Sequence, residues 1–454
     1  MTVPAVTVNS PLLELGRRAT AGLPEEAQEQ ARMHLFDALA AGLAGAATRE
    51  GGNTVRHSIS LAGHGRALDP AGTVLALARR IRATELDDLQ LESVTTAAAA
   101  VVPALLGAAT VGGQPAPGAD EALGALAAGY DVMFTLGLAA GGPDFLYRQG
   151  GWPSLVAAGP AAAATTGRLL DLDAEQIAHA IALALQSTPL IIRGSGEDGR
   201  WLSFGLAVTA GFHAALAVRA GARGDTGLLD PDQVPGAGLG RELFAGISAA
   251  LARPWLPGTG LAKAHLKRWA SAGQVAATID AVGQLQDTHG FTADEVLAIE
   301  VHVPPAYRRM IDQPAGAGRV WSLLSAHYQV AVRLHYPQDL FDCARPVLRD
   351  SPGFLRTMRK VRVHEADSLA GRHPESYPAR VEVTLADGMV ADWLSDGRSP
   401  SPHWDWDAVL GKARSVATSA GTEAEVGRLH DAVAHFADSS ELSRLAASLD
   451  RTRG

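Results

Sequence analysis

Apolar residues recur at helical spacing through roughly the first 250 residues of the chain. In the segment 26–45, Ala31, Leu35 and Leu39 share one face, and Pro24 with the acidic residues after it favours a helix start. The same pattern predicts further helices over residues 92–109, 119–138, 152–170, 174–186 and 204–220. Their faces are rich in Ala and Gly, which lets helices approach closely, so this part is predicted to be a compact all-helical bundle.

The hydrophobic pattern changes after about residue 260, where alternating β-branched segments are typical of strands. Residues 296–305 and 360–367 show this alternation, and residues 379–394 read as two strands joined by a turn at Asp387–Gly388. Helical spacing returns over 272–289 and 321–334, and again from Trp406 onwards. The segment therefore predicts a small mixed unit of helices and strands.

This order of elements predicts a mainly α protein with an α+β lid. Residues 1–262 and 398–454 are predicted to build one large helical domain from the N- and C-terminal parts. Residues 263–397 are predicted to form the smaller, inserted α+β domain.

Charge and composition limit the partners of the chain. Among 454 residues, 47% are apolar and 19% charged, which is a globular composition, and the net charge of −9 argues against nucleic-acid binding and a polybasic membrane surface. The single cysteine, Cys343, permits no intramolecular disulfide and no Cys-based metal cluster. No signal-peptide pattern is expected, and the Ala-rich run 95–107 is too short to span a bilayer. We therefore expect a cytoplasmic protein.

Common cofactor and metal motifs are missing from the sequence. The histidines are scattered rather than set at metal-binding spacing, and no Gly-x-Gly-x-x-Gly follows a clear strand. The glycine-rich segment 191–201 precedes a helix and is able to bind an anion, but it lacks the Lys-Ser/Thr of a phosphate-binding loop. We predict an enzyme with no metal and no cofactor.

Several sequence blocks, taken together and in order, resemble the MmgE/PrpD family over nearly the whole chain. The blocks are FDALAAGLAG (36–45), the segment beginning ELDDLQLES (85–109), GYDVMFTLG (129–137), the segment beginning GGWPSLVAAG (150–184), the segment beginning RWLSFGLAV (200–230), KRWASAGQVAATIDA (267–281) and SLLSAHYQVAVRL (322–334). The resemblance implies a helical domain with a smaller lid, a homodimer, and a small carboxylate substrate held between the domains. Family members dehydrate, decarboxylate or epimerise such acids without metal.

The resemblance also places two candidate catalytic residues. Lys267 corresponds to a family lysine, whose ammonium pairs with a substrate carboxylate or donates a proton. The alternative is an ordinary surface lysine such as its neighbour Lys263. Tyr328 corresponds to a family tyrosine, and its phenol is a suitable proton donor, although its helical surroundings also fit a core tyrosine.

Further positions are candidates for substrate binding. Arg200 stands in place of a family lysine, and its guanidinium can clamp a carboxylate. Asp87 and Asp88 either face the pocket or cap the following helix. The remaining candidates are Thr96, Ser203 and Trp152. Thr96 and Ser203 replace family histidines, and Pro153 replaces another beside Trp152, so imidazoles that would transfer protons are lost.

These features favour a metal-independent lyase or isomerase that acts on a small carboxylate by proton transfer, with loss of water or CO2. The lost histidines suggest a substrate that differs from methylcitrate and carries less charge. One alternative is 2-methylcitrate dehydratase itself, with the histidines replaced from elsewhere. The other is a catalytically inactive dimeric paralogue that binds a ligand or a partner protein.

Overall fold

The computed structural model describes residues 10–62, 68–111, 116–188, 198–230, 243–398 and 404–450. The fold is 63% helical, and the described residues form 21 helices and small sheets, which confirms the predicted mainly α fold with a smaller α+β part. Most of the glycine-rich segment 191–201 lies outside the described residues, so its predicted anion-binding role stays a prediction.

The first part of the chain is a succession of helices. They are α1 (Pro11–Ala19), α2 (Glu25–Gly45), α3 (Arg49–Ala62), α4 (Pro70–Ala83), α5 (Ala98–Ala109), α6 (Ala119–Ala139), α7 (Gly142–Tyr147), α8 (Pro153–Leu169), α9 (Ala174–Gln186), α10 (Asp198–Arg219), α11 (Ile247–Leu251) and α12 (Thr259–Ala262). The starts follow local chemistry: Asp69 caps α4 by accepting a hydrogen bond from the Gly72 amide, and Pro153 occupies the first position of α8.

The middle of the chain contains the described strands, apart from the short strand β1 (Leu89–Gln90). Its elements are β2 (Ala264–His265), α13 (Gly273–His289), β3 (Val296–Val303), α14 (Pro305–Ile311), α15 (Gly318–Leu324), α16 (Ala326–His335), a 3-10 turn (Pro337–Phe341), α17 (Pro352–Lys360), β4 (Val361–Glu365), α18 (Asp367–Ala370), β5 (Ala379–Leu385) and β6 (Val390–Ser395). The sheet order is β4-β3-β5-β6, with β3 parallel to β4 and the other pairs antiparallel. The hairpin predicted at Asp387–Gly388 is confirmed, and Gly388 has the positive φ of 88° that favours glycine there.

The last helices return to the first part of the protein. They are α19 (Trp406–Ala420), α20 (Glu423–His435) and α21 (Ser439–Asp450). Helices α19 and α20 pack against α2, and α21 packs against α5. The N- and C-terminal parts of the chain therefore contribute to one helical unit.

Two apolar cores lie in the protein. The first runs through the helical part and includes Val409 and Val433 of the C-terminal helices. The second fills the α+β part beneath the sheet, and it also takes in Leu89 and Leu91. Because Leu323, from the middle of the chain, belongs to the first core, the cores do not follow the predicted domain boundaries strictly, and those boundaries stay a prediction.

A small two-stranded sheet, with two residues in each strand, joins the helical part to the α+β part close to the candidate site. Strand β1 pairs antiparallel with β2, so that Leu89 lies opposite His265. This contact brings the loop after α4 beside the segment that carries Lys267.

Two helices, α6 and α10, are long and apolar enough to cross a membrane by length and composition alone. The apolar window of α6 is 94% buried inside the protein, and that of α10 is 56% buried. Core helices of globular proteins meet the same criterion, so these helices are weak evidence for a membrane span.

Candidate active site

A cavity of about 640 Å³ lies between the helical part and the α+β part. Its lining comes from α4 and the following loop, from α8 and α10, and from the segment around α13 and α14. The sequence-predicted residues that line it are Thr96, Trp152, Arg200, Ser203 and Lys267. The fold therefore brings together residues that are far apart in the sequence.

The loop between α4 and α5 has an unusual backbone at the cavity wall. Glu85 has a φ of 55° and Val94 a φ of 54°, in the left-handed region that favours glycine. For a β-branched residue such as Val94 this conformation is a clear outlier. Both residues line the cavity, and strained backbone of this kind clusters at functional sites.

Glu85 is at the centre of a buried ionic cluster. Its Oε1 lies 3.0 Å from Arg82 Nη2 and 3.4 Å from Arg200 Nη2, and its Oε2 lies 3.3 Å from Lys267 Nζ. Burial alone would raise the pKa of Glu85, but the three cations outweigh burial and hold the pKa well below its ordinary value. Glu85 is therefore ionised at neutral pH.

Asp87 is the second carboxylate of this cluster. Its Oδ1 lies 3.1 Å from Arg82 Nη1 and 3.5 Å from Lys267 Nζ, while its Oδ2 is buried without a hydrogen-bond partner. Burial, together with the neighbouring charges of Glu85 and Asp88, raises the pKa of Asp87 in spite of Arg82 and Lys267, which lower it. Asp87 is fully buried and lies behind the lining residues rather than on the cavity surface.

Two tryptophans hold the guanidinium groups in place. The Cζ atom of Arg200 lies 4.6 Å from the ring centre of Trp152 and 4.8 Å from that of Trp201. The Cζ atom of Arg82 lies 5.4 Å from each of the same rings. Such cation–π contacts fix planar guanidinium groups without neutralising them.

The cluster has an excess of positive charge. Arg82, Arg200 and Lys267 are three cations, against the two carboxylates of Glu85 and Asp87. Burial lowers the pKa of Arg200 to about 10, which leaves it charged at neutral pH. With both carboxylates ionised, one positive charge in the cluster has no counter-ion. An anionic ligand would supply the missing negative charge.

Hydroxyl groups provide the neutral polar part of the cavity wall. The Thr96 amide donates to Ser154 Oγ at 3.2 Å, and Ser154 Oγ donates to the Val94 carbonyl at 3.3 Å. Ser203, from α10, lines the same cavity. None of the described lining residues is a histidine. Within that set, no imidazole from another part of the chain takes the place of the family histidines lost at Thr96 and Ser203.

Asp88 is not among the residues that line the cavity, so its predicted role in substrate binding has no support from this geometry. Its carboxylate is fully buried in the helical part, where Oδ2 accepts a hydrogen bond from the Tyr130 hydroxyl at 2.5 Å and lies 2.9 Å from His34 Nδ1. Its Oδ1 accepts from the Ala98 amide at 3.0 Å, at the start of α5. Asp88 therefore caps this helix, the alternative that the sequence had left open.

Tyr328 is also absent from the cavity lining. It lines a separate cavity of about 360 Å³, its ring packs against Trp321 and Phe354, and its hydroxyl accepts a hydrogen bond from the Arg349 amide at 3.0 Å. Burial raises the pKa of this phenol. The physical reason is the direction of α16, whose apolar face turns Tyr328 into the second core. The predicted catalytic role of Tyr328 thus has no support from the geometry of the Lys267 cavity.

Sequence reasoning missed several residues that line the cavity, chiefly Arg82, Glu85, Ser154 and Gln274. Glu85 begins the same acidic segment as Asp87 and Asp88, but no sequence pattern indicates that its side chain faces the cavity. Arg82 is a basic residue in the last turn of α4, directly before an acidic loop. This position alone does not predict that Arg82 lines a cavity. Ser154 is one residue from the lost histidine position at Pro153.

The described residues contain no group of three or more His, Cys, Asp or Glu side chains placed to hold a metal ion. The absence of a metal requirement nevertheless stays a prediction for experiment.

Comparison with known protein families supports the sequence resemblance. Residues 17–246 match the MmgE/PrpD N-terminal domain, and residues 269–438 match the MmgE/PrpD C-terminal domain. The chain belongs to the MmgE/PrpD family. Lys267 itself lies between the two matched regions, just before the start of the second.

The curated relatives are decarboxylases or resemble them. Cis-aconitate decarboxylase of Aspergillus terreus is 28% identical over 225 residues, which are 47% of this chain and 45% of that enzyme. The chain therefore matches less than half the length of this relative. Cis-aconitate decarboxylase-like protein oryM of Aspergillus oryzae is 25% identical over 461 residues, covering 94% of this chain and 93% of that protein. These similarities support a lyase-type function in the family.

Proposed function

We propose that the chain is a metal-independent lyase that acts on a small carboxylic acid, with decarboxylation as the reaction that the site supports best. The observation that carries this proposal is the buried cluster in which Lys267 lies beside Glu85 and two guanidinium groups at the wall of the cavity. The names of the curated relatives are consistent with it.

Decarboxylation requires a group that accepts the electron pair of the broken bond and a donor that supplies a proton to carbon. The bond between carbon and the departing carboxylate breaks, CO2 leaves, and the electron pair moves into a conjugated carboxylate that is retained. Arg82 and Arg200 would stabilise the growing negative charge on that group. The Lys267 ammonium would then deliver one proton to carbon, and Glu85 and Asp87 would favour its reprotonation from solvent. The net change is the replacement of one carboxylate by one hydrogen.

The charge of the cluster favours a substrate with fewer charges than methylcitrate. Only one positive charge remains after the cluster's own ion pairs are counted, and Thr96, Ser154 and Ser203 offer neutral hydrogen bonds where imidazoles were expected. A tricarboxylate would leave more negative charge uncompensated in this buried site than a dicarboxylate would, and buried uncompensated charge is costly. A dicarboxylate, whose charge falls by one in the reaction, suits this cavity better.

The proposal is tested by incubating the purified protein with a panel of mono-, di- and tricarboxylic acids in deuterated water and analysing the products by mass spectrometry. Decarboxylation gives loss of CO2 with one deuterium on carbon, dehydration gives loss of water, and isomerisation gives deuterium at unchanged composition. We expect the first pattern. Loss of water would show that the enzyme is a dehydratase, and deuterium uptake at unchanged composition would show that it is an isomerase. Either result would contradict decarboxylation.

Lys267→Ala and Lys263→Ala form a matched pair for this test. Lys267 is buried in the cluster, whereas the Lys263 side chain is 49% exposed and pairs with Glu92. Loss of Lys267 should lower kcat/KM by about 30- to 1,000-fold, equivalent to roughly 2–4 kcal/mol of transition-state stabilisation. Lys263→Ala should retain nearly full activity, and equal effects of both changes would contradict the assignment.

The absence of an imidazole among the described lining residues gives one observation in favour of the inactive-paralogue alternative. Under that alternative, acids of the panel would bind, as shown by calorimetry, but none would react. Turnover that depends on Lys267 would exclude it.

A further inference from the structure

A second cavity of about 1,020 Å³ adjoins the Lys267 cavity. Both cavities have Arg200, Met310 and Leu324 in their walls, so the two cavities meet at these three side chains. The second cavity extends from the start of α3 to α15 and the turn that follows Asp342. It lies, like the first, between the helical and the α+β parts.

The charged lining of the second cavity is mostly cationic. Among the described lining residues it includes Arg49, Arg200, Arg319 and Arg345, against the one carboxylate of Glu50. Glu50 forms a buried ion pair with Arg319, in which Arg319 Nη2 lies 2.8 Å from Glu50 Oε2. The exposed Arg49 pairs with Asp198 at 3.3 Å.

Arg345 has no such partner. Its side chain is buried, with Nη1 donating to Ser322 Oγ at 3.1 Å and Nη2 donating to the Ala270 carbonyl at 2.9 Å. Both acceptors are neutral, and no carboxylate among the described residues lies at ion-pair distance from the guanidinium. The Asp342 carboxylate contacts the Arg345 backbone amide instead, and its charge only partly offsets the burial that lowers the pKa of Arg345. A buried guanidinium without a directly paired carboxylate points to an anionic ligand.

The backbone at Arg345 is unusual as well. Its φ is 40°, and its amide donates to Asp342 Oδ1 at 2.9 Å, so the turn is held in a conformation that favours glycine. Arg200 lines the same cavity, and its Nε is buried without a hydrogen-bond partner among the described residues. Two incompletely compensated guanidinium groups therefore line one cavity, and a planar carboxylate matches such groups.

We propose that the second cavity binds a distal carboxylate of the substrate, which is then an elongated dicarboxylate rather than a compact polycarboxylate. This inference rests on the proposed function, because it places the reacting end beside Lys267. The distal carboxylate lies at Arg345, and the hydrocarbon between the two ends passes along Met310 and Leu324. Arg200, which lines both cavities, is placed to contact either end.

The test compares linear α,ω-dicarboxylates of increasing chain length with monocarboxylates of equal length, by calorimetric binding to the full chain. We expect a chain length at which the dicarboxylate binds at least tenfold more tightly than its monocarboxylate partner. Arg345→Met should abolish this advantage and leave monocarboxylate binding almost unchanged. Arg268→Met is the matched control, because Arg268 is exposed and lines a different cavity.

Arg49→Gln provides a second variant that does not disturb a buried side chain, since Arg49 is 60% exposed yet lines the same cavity. It should reduce the dicarboxylate advantage severalfold. The inference is overturned if no chain length gives an advantage, or if the advantage persists undiminished in Arg345→Met.

Failure of this inference and failure of the proposed function give different results. If short acids are decarboxylated with dependence on Lys267 but without preference for a distal carboxylate, only the distal subsite is wrong. If long dicarboxylates bind with dependence on Arg345 but no acid reacts, the subsite stands and the lyase function is wrong.

Discussion

The ionic cluster around Glu85 makes a prediction about stability that needs no knowledge of the substrate. Glu85→Gln keeps the shape of the side chain but removes the carboxylate that contacts Arg82, Arg200 and Lys267 at 3.0, 3.4 and 3.3 Å. Asp87 is then the only carboxylate left in the cluster for three buried cations. Removing one partner from a buried ion pair costs about 3–5 kcal/mol.

The assay compares Glu85→Gln with Glu92→Gln by thermal unfolding. Glu92 is also ion-paired, but its partners Arg253 and Lys263 are 44% and 49% exposed, so its loss should cost less than about 1 kcal/mol. At roughly 2 °C per kcal/mol for a large chain, Glu85→Gln should lower Tm by about 6–10 °C. If the two variants melted at the same temperature, the cluster would not be the buried network that the contacts indicate.

The same experiment has a defined pH dependence. The pKa of Glu85 lies below its ordinary value of 4.5 in the folded protein, so its stabilising contribution is fully present above that value and is lost as pH falls through the folded pKa. The Tm difference between wild type and Glu85→Gln should therefore be constant from about pH 8 to pH 5 and become smaller only below about pH 4. A difference that already disappeared at about pH 6 would contradict the lowered pKa.

Three other expectations concern Asp88, Tyr328 and the requirement for metal. Asp88→Ala should lower the free energy of unfolding by about 3 kcal/mol or more, because it leaves the Ala98 amide, Tyr130 and His34 without their shared acceptor; a loss under about 1 kcal/mol in denaturant titrations would contradict this. Tyr328→Phe should keep kcat within about twofold and cost only about 1 kcal/mol of stability, since its hydroxyl meets the Arg349 amide; a large fall in kcat would restore its catalytic role. Treatment with EDTA should leave activity unchanged, and one tightly bound metal ion per chain that is required for turnover would refute metal independence.

Much of the fold was accessible from the sequence because it depends on local patterns. The helices at residues 174–186 and the hairpin through Gly388 follow directly from spacing and turn chemistry. The predicted helix over 92–109 begins only at Ala98, because Val94 takes a positive φ and Asp88 caps the helix there. That capping contact depends on tertiary structure, which periodicity does not reveal.

The site was predicted less completely, for physical reasons. Lys267 and Arg200 were found because the resemblance marked their positions, and both line the cavity. Tyr328 matched the family pattern equally well, but a helix with apolar residues on more than one face does not disclose which side meets a cavity. Glu85 was missed because its orientation depends on a left-handed backbone, which the sequence does not signal at a glutamate.

The pairing of β1 with β2 has a consequence for the order of folding. It joins residues as distant in sequence as Leu89 and His265, and it places Lys267 beside acids that belong to the N-terminal part. Contacts of such separation form after local helices, because a long loop must close first. During synthesis Glu85 and Asp87 therefore emerge with Arg82 as their nearby cation, and the lysine reaches them only after nearly two hundred further residues have been added. The contact of Lys267 with Glu85 and Asp87 is thus a late product of folding, and variants that weaken this small sheet should accumulate as helical protein in which the cluster is not assembled.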